Sequence, residues 1–216
     1  MKIRSFIIAY ALVLALLLFA DRRTGPKPED HYSHVVDLTG TESPDQATVK
    51  GSPATRIISP AALIPGTWSA GQIPAERLIA PLVVIDLKSS DPVSQITLDD
   101  IATWESQHGV VPQGAVVAIR RVSGASVTAV NGLPITAEAA QFLMDARYIL
   151  GFAVETRTNL ASDRILARQL ALHGNYVVDG ATQFSALPET GSLVIVAPSK
   201  SKTVAETPVR VLAMVK

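Results

Sequence analysis

Short apolar runs of strand length alternate with helical patterns along most of this chain, and this alternation limits the fold more than any other feature. Strands separated by helices predict a mixed sheet with flanking helices, which is an α/β domain. With 216 residues, 48% of them hydrophobic, the chain can bury one sizeable core, so we expect one domain. The predicted strands cover residues 34–38, 82–87, 115–119, 149–156, 176–178, 193–197 and 209–215.

Capping signals mark the helices between these strands. Thr97 and Asp100 have the T-x-x-D spacing of a capping box, and Gly109 provides a stop signal. Thr136 is the expected cap of a second helix, and Gly174 ends a third. The helices are predicted over residues 97–108, 136–147 and 162–173, with Leu98, Ile101 and Trp104 on the inner face of the first.

The first 20 residues carry a targeting signal. Lys2 and Arg4 precede an uncharged apolar run over residues 5–20. This run is slightly shorter than the ~20 residues that cross a bilayer, and longer than the ~7–15 residues of a signal-peptide core. The poor A-x-A match at residues 18–20 favours a signal anchor over a cleaved signal peptide, and a buried helix is the third reading. We therefore expect a protein of the bacterial inner membrane with its domain on the periplasmic side, or one secreted to the periplasm.

Residues 21–33 are polar and contain two prolines, which predicts an extended tether between the apolar run (1–20) and a folded domain (34–216). Lys and Arg total 19 and so do Asp and Glu, and a net charge of zero argues against nucleic acid as a partner. The chain has no cysteine, which excludes disulfides, a thiolate nucleophile and thiolate-bound zinc.

Several segments of the domain follow the order of landmarks in a known family. They are residues 36–39, 64–87, 98–105, 112–119, 151–156, 178–179 and 187–188. Together they make residues 35–215 resemble the cyclase family, the metal-dependent group of kynurenine formamidases, arylformamidases and isatin hydrolases. The resemblance implies a single swivelling β/β/α domain with a mixed sheet and flanking helices.

Family members hold zinc or manganese through an H-x-G-T-H-x-D-x-P-x-H run and a later His and Glu. The cation lowers the pKa of bound water, and a further histidine moves protons. Aligned without gaps, the run falls on residues 52–62 of this chain and retains only Thr55 and Pro60. The resemblance places the early ligand positions at Ser52, Arg56 and Ile58, the proton-transfer position at Ala62, the later ligands at Ala167 and Asp179, and a further expected histidine at Gly40.

Because arginine is always cationic and Ile and Ala cannot bind metal, the sequence predicts a member with no metal cofactor and no family-type catalysis. Such a protein would act by binding a small ligand or a protein partner. One alternative is a hydrolase of arylformamidase type with ligands elsewhere, and another is an assembly subunit for a complete paralogue. A homo- or hetero-oligomer is expected because family members are usually dimers or larger. Trp68 is a candidate interface residue or contact for a small aromatic ligand.

Other constellations are weaker. His31 and His34 lie beside two acidic residues and form either a weak metal cluster or solvated tether polarity. His108 and His173 are predicted to cap the carboxyl ends of helices, where a cation is favoured. The serines near the former metal motif lack a G-x-S-x-G elbow, which argues against a serine hydrolase.

The sharpest prediction concerns Arg56 and Asp179. A buried carboxylate that has lost its cation needs a proton or a new partner, and a guanidinium matches a carboxylate in bidentate geometry. We therefore expect a nitrogen of Arg56 within ~4 Å of an oxygen of Asp179. The alternative is that Arg56 points to solvent while Asp179 caps a backbone amide.

Overall fold

The structure is a computed structural model that describes residues 32–41, 55–89, 91, 93–122 and 129–216. The chain divides at His31 into two units, and the described residues belong to the second, Tyr32–Lys216. The predicted membrane segment and most of the tether lie outside the described residues. Among the described residues, no helix has both the length and the hydropathy needed to cross a membrane.

The described residues form ten strands and four α-helices, in the α/β order that the sequence predicts. The strands are β1 (His34–Asp37), β2 (Arg56–Ile58), β3 (Ile79–Leu87), β4 (Val116–Arg121), β5 (Ala129–Asn131), β6 (Gly151–Val154), β7 (Arg157–Asn159), β8 (Tyr176–Asp179), β9 (Ser192–Pro198) and β10 (Glu206–Val215). The helices are α1 (Pro60–Leu63), α2 (Leu98–His108), α3 (Ala137–Ala146) and α4 (Arg164–Leu172). Short 3-10 turns lie at Ala70–Gln72, Ala75–Arg77, Leu160–Ser162 and Phe184–Ala186.

Eight strands form one mixed sheet in the order β1-β10-β2-β8-β6-β4-β3-β9. Strand β10 also pairs with β9, so seven of these strands close into a barrel-like ring and β1 adds to the outside of β10. The pairings β3–β4, β4–β6 and β6–β8 are parallel, whereas β2 and β10 run antiparallel to their neighbours. Closure removes most free sheet edges from the described part.

Alternating side chains of the strands pack into two hydrophobic cores, one inside the ring and one between the sheet and the helices. Along β3, Leu82 and Val84 face the interior of the ring, while Val83 and Ile85 face the helices. This period of two is the expected geometry of a strand buried on both faces. The helix-facing core is completed by Ile101 and Trp104 of α2, Leu143 and Met144 of α3, and Leu166 and Leu170 of α4.

Most caps match the sequence prediction. The Thr97 hydroxyl accepts the Asp100 backbone N–H at 3.3 Å, and the Asp100 carboxylate accepts the Thr97 backbone N–H at 2.8 Å. Thr136 caps α3 through the N–H of Ala139 at 3.2 Å. The third predicted helix needs correction: it begins at Arg164, because Asp163 is the cap, while residues 160–162 form a 3-10 turn.

Strands β3 and β10 each begin three residues earlier than predicted, and each continues through a proline that has one unpaired edge. Pro81 pairs with β9 on one edge, and the β4 ladder begins one residue later, at Leu82. Pro208 pairs with β2, and the β9 ladder begins at Val209. A proline without an N–H is tolerated at such positions, so β3 and β10 continue through it. Of the predicted strand 149–156, only residues 151–154 form a strand, β6, and the separate β7 begins after its end, at Arg157.

Candidate functional site

Strands β2 and β8 place Arg56 opposite Asp179 at the carboxyl end of β8. Arg56 Nε donates to Asp179 Oδ1 at 3.0 Å, and Arg56 Nη2 donates to Oδ2 at 3.0 Å. This is a bidentate pair, and it confirms the predicted contact. The Asp179 side chain is 0% exposed and that of Arg56 is 23% exposed, so the pair lies at the boundary between core and solvent.

Strand β7 adds three donors to the same carboxylate. Arg157 Nη1 lies 3.2 Å from Asp179 Oδ1, while the backbone N–H and hydroxyl of Thr158 donate to Oδ2 at 3.0 and 3.2 Å. Asp179 thus accepts a backbone amide, as the alternative expected, but Arg56 pairs with it and does not point to solvent, so the alternative is wrong for Arg56. An ionised carboxylate has about four acceptor positions, and these donors fill them.

Glu206, at the start of β10, contacts Arg56 from the solvent side. Arg56 Nη1 donates to Glu206 Oε2, and Arg56 Nη2 also donates to the Thr158 carbonyl at 3.3 Å. Burial lowers the pKa of Arg56, but the hydrogen bond and charge of Asp179 and the charge of Glu206 outweigh it and raise that pKa above its usual value. We call Arg56, Arg157, Thr158, Asp179 and Glu206 the Asp179 cluster.

Thr55, which the family motif retains, ties the surrounding strands together. Its hydroxyl donates to the Gly180 carbonyl at 2.7 Å and accepts the Gly40 backbone N–H at 2.7 Å. Gly40 is the position at which the resemblance expects a histidine. Through Thr55 and the Arg56 pair, the structure brings together Gly40, Arg56 and Asp179, three positions at which the resemblance to the family expects metal-site residues.

The remaining positions of that alignment have no metal donor where they are described. Ile58 is buried in the helix-facing core, Ala62 is half-buried on α1, and Ala167 is buried on α4, which packs against α1. Ser52 lies outside the described residues. Among the residues that the structure describes, no group of three or more His, Asp or Glu side chains could hold a metal ion.

This donor set does not fit a divalent cation. The one remaining carboxylate is saturated by hydrogen bonds, and two fixed positive charges lie within 3.2 Å of it. A divalent ion would have to displace both guanidinium groups and would gain at most two carboxylate ligands, Asp179 and Glu206.

Sequence reasoning missed Arg157, Thr158 and Glu206. The first two lie on β7, a strand of three residues that carries no alternating pattern of its own. Glu206 lies before Pro208, and the predicted strand begins only after that proline, at residue 209. The only sequence signal for any of these residues was position, because Arg157 directly follows the family landmark at residues 151–156.

The other candidate residues lie away from this cluster. Trp68 is 40% exposed, and its ring lies beside Gly174 and beside Arg77, whose Cζ is 5.6 Å from the ring centroid. His108 Nδ1 lies 3.0 Å from the Trp104 carbonyl, and His173 Nδ1 lies 2.8 Å from the Gln169 carbonyl. Both histidines thus cap helix ends, as the sequence predicts. His31 lies outside the described residues, and His34 contacts the Ser33 hydroxyl.

Comparisons with known proteins agree with this geometry. The Cyclase family model matches residues 22–159. Isatin hydrolase A from Labrenzia aggregata, solved with benzyl benzoate, is 27% identical with a TM-score of 0.69, over 84% of this chain and 93% of that one. Isatin hydrolase A from Ralstonia solanacearum is 24% identical with a TM-score of 0.70, over 85% and 92%.

A potential metal-dependent hydrolase with cyclase activity shares the fold at 20% identity, with a TM-score of 0.63 over 83% of this chain and 96% of that one. No curated protein sequence matches the chain. The family model spans more than half of the sequence, and the solved structures share the closed mixed sheet. This chain therefore belongs to the cyclase family.

Proposed function

We propose that this protein is a non-hydrolytic member of the cyclase family that binds a ligand or a partner protein without a metal cofactor. The observation that supports this most strongly is the Asp179 cluster. In this cluster, Arg56 and Arg157 provide the positive charge that a divalent ion provides in catalytic relatives. No water or hydroxide can be activated by a guanidinium in the way a bound cation activates it, because guanidinium offers no open coordination position.

The remaining former ligand positions support the same conclusion. Ile58, Ala62 and Ala167 contribute only apolar atoms, so a cation near Asp179 would lack the three or four protein ligands that a catalytic site needs. The proposal also includes a tether. The apolar run at residues 5–20 holds the domain at the bacterial inner membrane, on the periplasmic side. A carbonate wash of membranes tests this directly, since an anchored chain stays in the pellet.

The test of the binding function uses the full chain purified without added metal. We expect no hydrolysis of isatin or N-formylkynurenine, with or without added Zn²⁺ or Mn²⁺, and less than one tenth of an equivalent of metal by elemental analysis. Titration with thioisatinate, the product analogue bound in one of the related isatin hydrolase structures, tests whether the protein binds a small ligand. Metal-dependent turnover that disappears in Asp179→Asn would contradict the proposal.

A second candidate, hydrolysis of an aryl or cyclic amide, is favoured by the 27% identity to an isatin hydrolase over most of both chains. It requires a different set of ligands or a metal-free mechanism. The same assay separates the two functions, because only the hydrolase releases an acid product.

A further inference from the structure

A second surface, around Trp68 and the exposed side of α4, carries charge and apolar area that the Asp179 cluster does not use. Its apolar members are Trp68, Ile165 and Leu172, with exposed fractions of 40%, 68% and 64%. Ile165 and Leu172 are seven residues apart and therefore lie on the same side of the helix. We call this surface the Trp68 face.

A few contacts bring the parts of the Trp68 face close to one another. A methyl group added to Gly174, two residues after Leu172, would lie 3.0 Å from Trp68 Cζ3. Arg77 Nη2 donates to the Gly174 carbonyl at 3.1 Å while its Cζ lies over the Trp68 ring. Three residues after Trp68, the Gly71 N–H donates to the Ser201 carbonyl at 3.1 Å. These contacts place the loop around Ser201 and the residues that follow α4 close to Trp68.

Four exposed cations border these apolar groups: Arg164 and Arg168 on α4, and Lys200 and Lys202 beside Ser201. Within the described part of the chain, none of the four forms an ion pair. Two acidic side chains close to α4 are engaged by other groups. Asp163 accepts the Leu166 N–H at 3.0 Å, and Asp145 pairs with His173 at 2.8 Å.

The combination of an exposed tryptophan, two aliphatic side chains and four cations without acidic partners is complementary to an anionic bilayer. Tryptophan and arginine favour the interface between headgroups and acyl chains, and each cation near an anionic leaflet contributes about a five-fold gain in occupancy. We propose that the Trp68 face rests on the anionic lipid surface. This proposal rests on the membrane tether of the proposed function, because tethering makes a weak surface contact effective.

The experiment uses the full chain in vesicles whose acyl chains carry bromine, a quencher of tryptophan fluorescence. Trp104, the other tryptophan, is buried and donates to the Val84 carbonyl at 2.8 Å, so Trp68→Phe supplies the background signal. We expect quenching of Trp68 in vesicles that contain phosphatidylglycerol and none in phosphatidylcholine alone. Quenching should fall at high salt, since the Debye length shortens to ~3 Å at 1 M.

Arg168→Glu should lower the quenched fraction at least about five-fold, and Lys88→Glu, a matched reversal of an exposed cation after β3, should leave it unchanged. Equal quenching in both lipids, or equal effects of the two variants, would overturn the proposal. No quenching in anionic vesicles would also overturn it. Flotation of the same samples tests the tether separately. A chain that fails to float with neutral vesicles lacks the anchor. Quenching by anionic vesicles added afterwards still tests binding through the Trp68 face.

Discussion

Two arginine–carboxylate clusters lie at the carboxyl ends of parallel strands, and they differ mainly in burial. In the Asp179 cluster, Arg56 pairs across β2 and β8 with a carboxylate that is 0% exposed. On the other side of the ring, Arg120 pairs across β4 and β3 with Asp86, which is 24% exposed, at 2.6 and 3.1 Å. The chemical groups are the same, but only the first carboxylate has no access to water.

The partners of the two clusters explain their different roles. Arg120 also donates to the carbonyls of Phe184 and Leu187 at 3.1 and 2.9 Å and to Glu189 at 3.0 Å. It therefore fastens the segment between β8 and β9 to the end of the ring. In the Asp179 cluster, by contrast, the donors converge on the carboxylate itself. The comparison shows that an arginine can either hold a neighbouring segment against the sheet or neutralise a buried carboxylate. The burial of the carboxylate determines which of these two roles the arginine has.

The largest expected effect follows from leaving Asp179 without a cation. Arg56→Ala combined with Arg157→Ala should lower the free energy of unfolding by about 3–5 kcal/mol, because an ionised carboxylate would remain buried. Adding Asp179→Asn to that double variant should recover part of the loss, since the amide is neutral and of similar shape. Urea unfolding of the three proteins measures this. A triple variant no more stable than the double would show that the buried charge is not the cause.

A smaller effect separates the two ion pairs. Double-mutant cycles should give a coupling energy of about 2–3 kcal/mol for Arg56 with Asp179, and about 1 kcal/mol or less for Arg120 with Asp86. Raising the salt concentration from about 0.1 to about 1 M shortens the Debye length from ~10 to ~3 Å. The coupling energy of Arg56 with Asp179 should change little over this range, whereas that of Arg120 with Asp86 should weaken. Equal couplings with equal salt dependence would remove the distinction drawn here.

The smallest effect concerns Glu155, which follows β6, the strand between the two clusters in the sheet. Glu155 is exposed by surface area, so its desolvation is partial. That desolvation raises its pKa, although the Arg121 backbone N–H and the charges of Arg120 and Arg121 oppose the rise. A raised pKa in the folded state means that this carboxyl favours folding at low pH and loses that contribution as the pH rises through the folded pKa. Glu155→Gln should therefore stabilise the protein at pH 7 by less than about 0.5 kcal/mol after solvent screening.

At about pH 4 the same substitution should be nearly neutral, because the wild-type carboxyl is then largely protonated in both states. Thermal unfolding at the two pH values gives the comparison. A gain that is larger at pH 4 than at pH 7 contradicts the sign of the effect.

The parts of this structure that sequence could predict are those that depend on nearby residues. Thr97 and Asp100 reveal the start of α2 because a capping box needs only a three-residue spacing. The pairing of Arg56 with Asp179 was predictable from the family alignment, which supplies a long-range contact that periodicity lacks.

Closure of the sheet was not predicted, because it depends on the pairing of β10 with both β9 and β2. The contact between β2 and β10 is long-range: Arg56 and Glu206 lie 150 positions apart in the sequence. Strands β2, β5 and β7 have three residues each, too few to show a period of two. Arg157 and Thr158 were missed for this reason. Their role arises only when β7 is brought against the end of β8.

The central claim is that guanidinium charge takes the place of the family's divalent cation at Asp179. The most direct test is thermal unfolding of the full chain with chelator, with Zn²⁺ and with Mn²⁺. The double variant Arg56→Ala/Arg157→Ala, which removes both positive charges from the cluster, is measured alongside it. A ligand that binds only the native state at 100 times its Kd adds about 2.7 kcal/mol of stability. We expect no change in Tm of the wild-type protein under any of the three conditions. A loss of several degrees on chelation that a divalent ion reverses would contradict the claim.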